Sequence, residues 1–153
     1  MSARPNDDRR VAEIWETCAE IAARMASGVY SEEIVVSPSN KVEEALGEAL
    51  AYGLQRIGEE ASRLSFDAKT IAKLPWDNIA GLRNILSHDY PGISWDQIWS
   101  VATDDLPSLR DYCVRYAELH DTTIQDLVEL NHASLRQADA EKENPPTHRW
   151  DDR

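Results

Sequence analysis

Arg83, Asn84, Ser87, His88 and Tyr90 crowd the end of the stretch LPWDNIAGLRNILSHDY, residues 74–90. Histidine titrates near neutrality, so His88 can take a proton from a ribose 2′-OH or return one to a leaving oxygen. An arginine beside it can brace the extra negative charge of a pentacoordinate phosphoryl transition state. The chemistry that this pair suits is phosphodiester cleavage in RNA. Ser87 has no paired base at a triad spacing, which argues against a hydroxyl nucleophile and leaves Ser87 and Asp89 as possible support. If the segment is a regular helix turning roughly 100° per residue, Asn84 and His88 share one face and Arg83, Ser87 and Tyr90 share another. Arg83 and His88 then diverge by roughly 140°. A site using both is easier to build if the helix distorts before Pro91, or if a second copy of the helix packs alongside and contributes its own pair. Asn84, on the His88 face, can orient either that imidazole or a phosphate. The plain alternative is that Arg83 and His88 complement a helix dipole and that Tyr90 is an amphipathic plug.

Other chemistries find less support. Gly53-Leu54-Gln55-Arg56-Ile57-Gly58 continues with Glu59-Glu60 where a phosphate-binding loop would need Lys and Ser/Thr, and no GxSxG, HExxH or CxxC pattern is present. His88-Asp89 and His120-Asp121 resemble the His-Asp pairs of helical metal-dependent phosphohydrolases, but no His precedes residue 88 and the usual ligand set is incomplete. No metal or cofactor is expected. Trp15, Trp76, Trp95 and Trp99 read as core or interface before they read as base-stacking platforms. His120, His132 and His148 read as solvated, with no recognisable partner for His132. Glu59 and Glu60 near Arg56 and Arg63 read as exposed helical ion pairs.

The elements that must position these residues are helical. Val11, Ile14, Trp15, Cys18, Ile21, Ala22 and Met25 repeat at three-four spacing, and Gly28 ends that helix. Asn40 with Glu43 forms a capping box that opens a long second helix over about 40–64, its apolar stripe running through Val42, Ala45, Leu46, Ala49, Leu50, Gly53, Ile57, Ala61 and Leu64. A third helix begins at Pro75 and stops before Pro91, with Ile79, Leu82 and Leu86 inward. Ser94 with Gln97 opens a fourth. Pro107 must break or kink it before Leu109, Tyr112, Cys113 and Tyr116. Ile124, Leu127, Val128, Asn131 and Leu135 mark a last helix. With no strand alternation and no repeat, the expected class is an all-α, up-and-down bundle of four to five helices. Its expected divisions are a flexible segment 1–9, a helical domain 10–136 and a flexible polar tail 137–153.

The 153 residues carry 16 Lys+Arg against 28 Asp+Glu, a formal charge of −12 that argues against a general DNA or RNA coat. Residues 53–90 are the exception. Arg56, Arg63, Lys69, Lys73 and Arg83 balance Glu59, Glu60, Asp67, Asp77 and Asp89, so a polyanion would bind there. The polar N-terminus does not read as a signal peptide, no apolar run is long enough for a membrane span, and Cys18 and Cys113 on apolar helix faces read as reduced thiols. A cytoplasmic protein is expected.

Arg83-x4-His88-x-Tyr90 resembles the RX4HXY motif of the HEPN superfamily. Leu74-Pro75-Trp76, Ala80-Gly81-Leu82-Arg83-Asn84, His88-Asp89-Tyr90 and Asp105-Leu106-Pro107-x-Leu109 resemble its HepT-like branch in the same order. Leu54-Gln55-Arg56-Ile57-Gly58-Glu59 resembles that branch's helix ending in Gly-Glu-Ala, with Glu60 here intervening before Ala61. The resemblance covers roughly residues 10–118; residues 119–153 lie past it, and the segment between the second and third helices is short. It implies an all-helical homodimer with Arg83 and His88 at the dimer cleft, acting as a metal-independent endoribonuclease toxin. It also implies a minimal nucleotidyltransferase antitoxin as partner, able to attach AMP to Tyr90. The rival reading is a HEPN binding or scaffold partner of a nucleotidyltransferase that cleaves nothing, which the acidic composition favours.

Overall fold

The computed structural model describes residues 4–86 and 92–144. Among them the chain forms α1 (Arg4–Ala26), α2 (Glu32–Val36), α3 (Lys41–Ser62), α4 (Phe66–Lys69) and α5 (Trp76–Gly81). A 3-10 turn follows (Leu82–Asn84), then α6 (Trp95–Ser100), a π-helical turn (Val101–Asp105), α7 (Leu106–Leu119) and α8 (Ile124–Glu143). No strand occurs among the described residues.

Cross-helix bonds give the topology. Arg10 donates to the Arg63 carbonyl at 2.9 Å and Arg56 meets Glu13 at 3.3 Å, so α3 descends against α1. Arg4 donates to the His120 carbonyl at 3.1 Å and Tyr116 to Asp8 at 2.6 Å, so α7 also runs antiparallel to α1. α8 then turns back along α1, with Asn131 Nδ2 donating to Glu13 at 2.8 Å. The ascending leg between α3 and α7 is the broken path through α5 and α6. Val11, Ile14, Leu50, Leu54, Leu109 and Cys113 are almost fully buried at the centre, where exclusion of apolar surface from water supplies the main driving force.

The caps expected from sequence form. Asn40 accepts from the Glu43 N–H at 2.9 Å, Ser94 accepts from the Gln97 N–H at 3.4 Å, and Gly28 ends α1 with φ +83°. Two short helices were not legible: α2 and α4, each capped by a serine, Ser31 and Ser65. Pro107 sits in the first turn of α7, where its missing N–H costs little. The turn ahead of it loosens, the Leu106 N–H reaching back five residues to the Val101 carbonyl. This is the break that Pro107 was expected to cause.

Three boundaries and one buried face differ from the expectation. α1 already begins at Arg4, inside the segment 1–9, because Asp7 and Asp8 are tied to Ser65 and Tyr116. α8 runs through Gln137 to Glu143, past residue 136, in a stretch of good helix formers (Ala138, Ala140, Glu141, Lys142). The third helix ends at Gly81 rather than near Pro91. On α3, Val42 is 70% exposed and Ala45 and Ala49 are exposed, while Gly47 and Ala51 are buried. The buried line is rotated toward an edge of small residues, Gly47, Ala51 and Gly58, which receives the ascending leg.

Candidate active site

The leg carrying Arg83 is anchored at its start. The Trp76 indole N–H is shared between the carbonyls of Lys69 at 3.0 Å and Ala72 at 3.3 Å, and its ring meets Tyr112 edge-on at 4.8 Å. Tyr112 in turn donates to the Ala68 carbonyl at 2.7 Å, so the loop ahead of α5 is pinned from two sides. One helical turn later Ile79 is buried. The chain then tightens, the Ile85 N–H reaching the Leu82 carbonyl three residues back at 3.1 Å.

This tightened turn lies directly on α3. A β-carbon on Gly58 would fall 2.3 Å from the Arg83 backbone nitrogen and 2.8 Å from the Leu82 carbonyl carbon. Only a glycine admits backbone so close. A rigid, 22-residue helix thereby fixes the main chain of Arg83 while its side chain is exposed. Among the described residues Arg83 and Asn84 make no side-chain hydrogen bond or ion pair.

Among the cations of residues 53–90, Arg83 is the one carried on this turn. Arg56 is engaged by Glu13 and Arg63 by Glu59. Lys69 and Lys73 have no ion pair among the described residues, but neither is on the turn. Ser87, His88, Asp89 and Tyr90 lie outside the described residues. The structure therefore places Arg83 and Asn84 as consecutive exposed residues of one tightened turn, while the shared face of Asn84 and His88, the row Arg83, Ser87, Tyr90 and the divergence of Arg83 from His88 all reach beyond the described residues. All three angular relations assumed a regular helix, and residues 82–84 form a 3-10 turn instead, so none of them follows from that geometry. In the sequence, the one signal of this close approach is Gly58 itself, a glycine inside a long helix where it costs about 1 kcal/mol relative to alanine.

The other singled-out residues have structural roles. His120 Nδ1 lies 2.8 Å from the Tyr116 carbonyl and its ring packs on Tyr116 at 4.3 Å, and Asp121 turns the chain with φ 58°. His132, expected to lack a partner, meets Glu16 across helices α8 and α1. Trp15 lies under the Arg110 guanidinium, 5.8 Å from its ring centre, and Trp95 covers Gly47. Glu60 faces Arg10 of α1 rather than a neighbour on its own helix. Among the described residues no three His, Cys, Asp or Glu side chains gather as metal ligands, and no helix is long and apolar enough to cross a membrane. Cys18 and Cys113 are free and buried.

Beside the turn, between α5 and the α6–α7 wall, opens a cavity of about 580 Å³. At three residues per turn Leu82 and Ile85 eclipse, and both line it. Arg83 lies between them in sequence, on a different side of the same turn.

A family model described as "Ribonuclease HepT-like" matches residues 16–116. A protein of Caldanaerobacter subterraneus subsp. tengcongensis named "Putative RNase TTE0752" is 30% identical over 97 residues, which cover 63% of this chain and 80% of that protein. "Putative RNase MJ1380" of Methanocaldococcus jannaschii is 33% identical over 63 residues, 40% of this chain and 58% of that protein. "Probable ribonuclease HepT" of Thermococcus cleftensis is 32% identical over 63 residues, 40% of this chain and 57% of that protein. The chain thus spans less than two thirds of the length of two of these three relatives. No solved structure matches the chain.

Proposed function

Because the chain belongs to the HepT-like ribonuclease family, we propose that it is a metal-independent endoribonuclease, the toxin of a toxin–antitoxin pair. The observation that carries this reading is Arg83, an exposed guanidinium without an ion pair among the described residues, on a main chain locked against Gly58 at the head of the RX4HXY segment. A cation that no carboxylate among the described residues neutralises is what an RNA phosphate requires from an otherwise acidic protein.

In the proposed reaction the ribose 2′-oxygen attacks the adjacent phosphorus as its proton passes to a base, the 5′-oxygen leaves with a proton from an acid, and the products end in 2′,3′-cyclic phosphate and 5′-OH. His88 serves the proton transfers, Arg83 stabilises the charge that builds on the phosphoryl oxygens, and Asn84 orients the phosphate or the imidazole. A homodimer with residues 80–90 of both copies lining one cleft supplies two Arg/His pairs. The partner is a minimal nucleotidyltransferase antitoxin, and Tyr90 is the residue that it modifies with AMP.

Incubating the purified chain with total RNA in EDTA tests the reading. Cleavage to cyclic-phosphate ends, lost in His88→Ala, is the expected result. Full inhibition by EDTA with rescue by magnesium would instead support the metal-dependent phosphohydrolase. The formal charge of −12 favours a second reading, a scaffold partner of the nucleotidyltransferase; binding of that partner with no cleavage under any condition would select it.

A further inference from the structure

We propose that the cavity between α5 and the α6–α7 wall is a nucleobase subsite selective for guanine, taking the base attached to a phosphate held by Arg83. The inference rests on the ribonuclease reading for its purpose, but not for its test.

The cavity, about 580 Å³, lies within the size range of small-molecule sites. Its inner surface is aliphatic. Ile79, Ile98, Leu106 and Leu109 are buried side chains that also border it, and Leu82 and Ile85 complete the wall from the turn. That surface suits the flat face of a heterocycle. Five polar side chains also line it, Asp77 and Asn78 from α5 and Ser94, Gln97 and Asp105 from the opposite wall. The Ser94 hydroxyl caps α6, while the other four are exposed and make no side-chain hydrogen bond or ion pair among the described residues. Their hydrogen-bonding capacity is uncommitted.

The split of charge across the turn decides what fits. One side offers the Arg83 guanidinium, which takes a phosphate. The cavity side offers two carboxylates, which repel a phosphate and accept N–H donors. A nucleotide with its phosphate on Arg83 and its base in the cavity satisfies both. Of the four bases, guanine alone presents two adjacent N–H donors, N1–H and N2–H, the pair that one carboxylate accepts in bidentate fashion. Adenine and cytosine each set one amino donor beside a ring acceptor that a carboxylate repels, and uracil sets its single N–H between two carbonyls. Unstacked bases in single-stranded RNA expose this edge, and a bidentate contact to a base distinguishes it from the others by about tenfold or more.

Calorimetric titration of the full chain with the 3′-monophosphates of guanosine, adenosine, cytidine and uridine tests the proposal without requiring catalysis. Guanosine 3′-monophosphate is expected to bind at least tenfold more tightly than the other three. Asp105→Asn or Asp77→Asn is expected to abolish that preference, and Arg83→Ala to weaken all four alike. Methyl resonances of Ile98, Leu106 and Leu109 should shift on addition of the guanosine nucleotide. Equal affinities, or a preference that survives both carboxamide substitutions, would overturn the subsite. Methyl shifts caused by arginine amide and not by the nucleotide would overturn it in favour of a cationic protein partner. A guanosine preference in a chain that cleaves no RNA would leave the subsite standing and remove the ribonuclease reading; cleavage without any base preference would do the reverse.

Discussion

Gly58 and Arg83 touch backbone to backbone: a β-carbon on the glycine would sit 2.3 Å from the arginine's main-chain nitrogen. The neighbour in the way is main chain, which cannot swing aside as a flexible side chain would. Gly58→Ala is therefore expected to push the turn off α3, costing about 1–3 kcal/mol as overpacking usually does. Because the displaced turn carries Arg83, RNA cleavage should fall by more than the loss of folded protein explains. Thermal melting and cleavage rate, measured on the same preparation, check this; an unchanged rate at full folding would show that the contact does not position Arg83.

Arg83→Ala separates function from stability in the opposite direction. The side chain is exposed, so the substitution should move the melting free energy by no more than about 0.5 kcal/mol. Loss of a transition-state donor should lower the cleavage rate about 100-fold to 1000-fold. Arg83→Lys should recover only part of the rate, since an ammonium cannot reproduce the two-pronged contact of a guanidinium with phosphate.

Tyr90→Phe should remain toxic on expression yet escape whatever part of neutralisation depends on the antitoxin's enzymatic activity. Under the proposed regulation, AMP on the phenol would add a phosphodiester charge able to compete for Arg83 and a bulky nucleoside able to exclude RNA. Intact-mass spectrometry after co-expression should show additions in AMP units on the wild type and none on the variant. Normal neutralisation of Tyr90→Phe, with no mass increase on the wild type, would point to steric masking.

Asp7 is buried, 4% exposed, and accepts from both the Ser65 N–H at 3.0 Å and the Ser65 hydroxyl at 2.5 Å. Ser65 is itself the cap of α4, its hydroxyl oxygen accepting from the Ala68 N–H at 3.2 Å. Asp7→Ala strands these donors and should cost about 1–3 kcal/mol, read as a lowered melting temperature. Hydrogen exchange at residues 65–70 should rise with it.

Alkaline pH should destabilise the fold. Burial pushes the Cys18 thiol up from 9.0 to about 12, against a smaller opposing pull from Arg110, and burial raises the Cys113 thiol well above its ordinary value. Burial raises the Tyr112 phenol, and burial together with the hydrogen bond to Asp8 raises Tyr116. The unfolded chain releases these protons from about pH 9 upward while the folded chain still holds them, so it binds fewer protons and gains in relative stability. The contribution is complete below about pH 9 and is lost as pH rises toward 12. Melting temperatures measured from pH 8 to 11 should fall progressively above 9, and native Cys18 and Cys113 should react slowly with a thiol reagent at pH 8.

The sequence by itself determined the helical class, the caps at Asn40 and Ser94, the stop at Gly28, and the core line of α1 through Val11, Ile14, Cys18 and Ile21. Each is written in residues three or four apart, or in the single residue whose side chain or missing β-carbon makes the local bond. The motif around Arg83 was legible for the same reason, as residue types at fixed spacing. Tertiary structure decided where the third helix ends and why Arg83 is held as it is. Gly47, Ala51 and Gly58 form the edge that receives Trp95 and the Leu82–Asn84 turn, and a hydrophobic pattern reports where apolar atoms are, not where their absence lets two backbones meet. The same holds for the polar ties that extended α1 back to Arg4. Asp7 finds Ser65 and Asp8 finds Tyr116 across 58 and 108 residues of chain. Pairings so far apart leave no local trace, because packing brings the partners together only after the helices themselves exist.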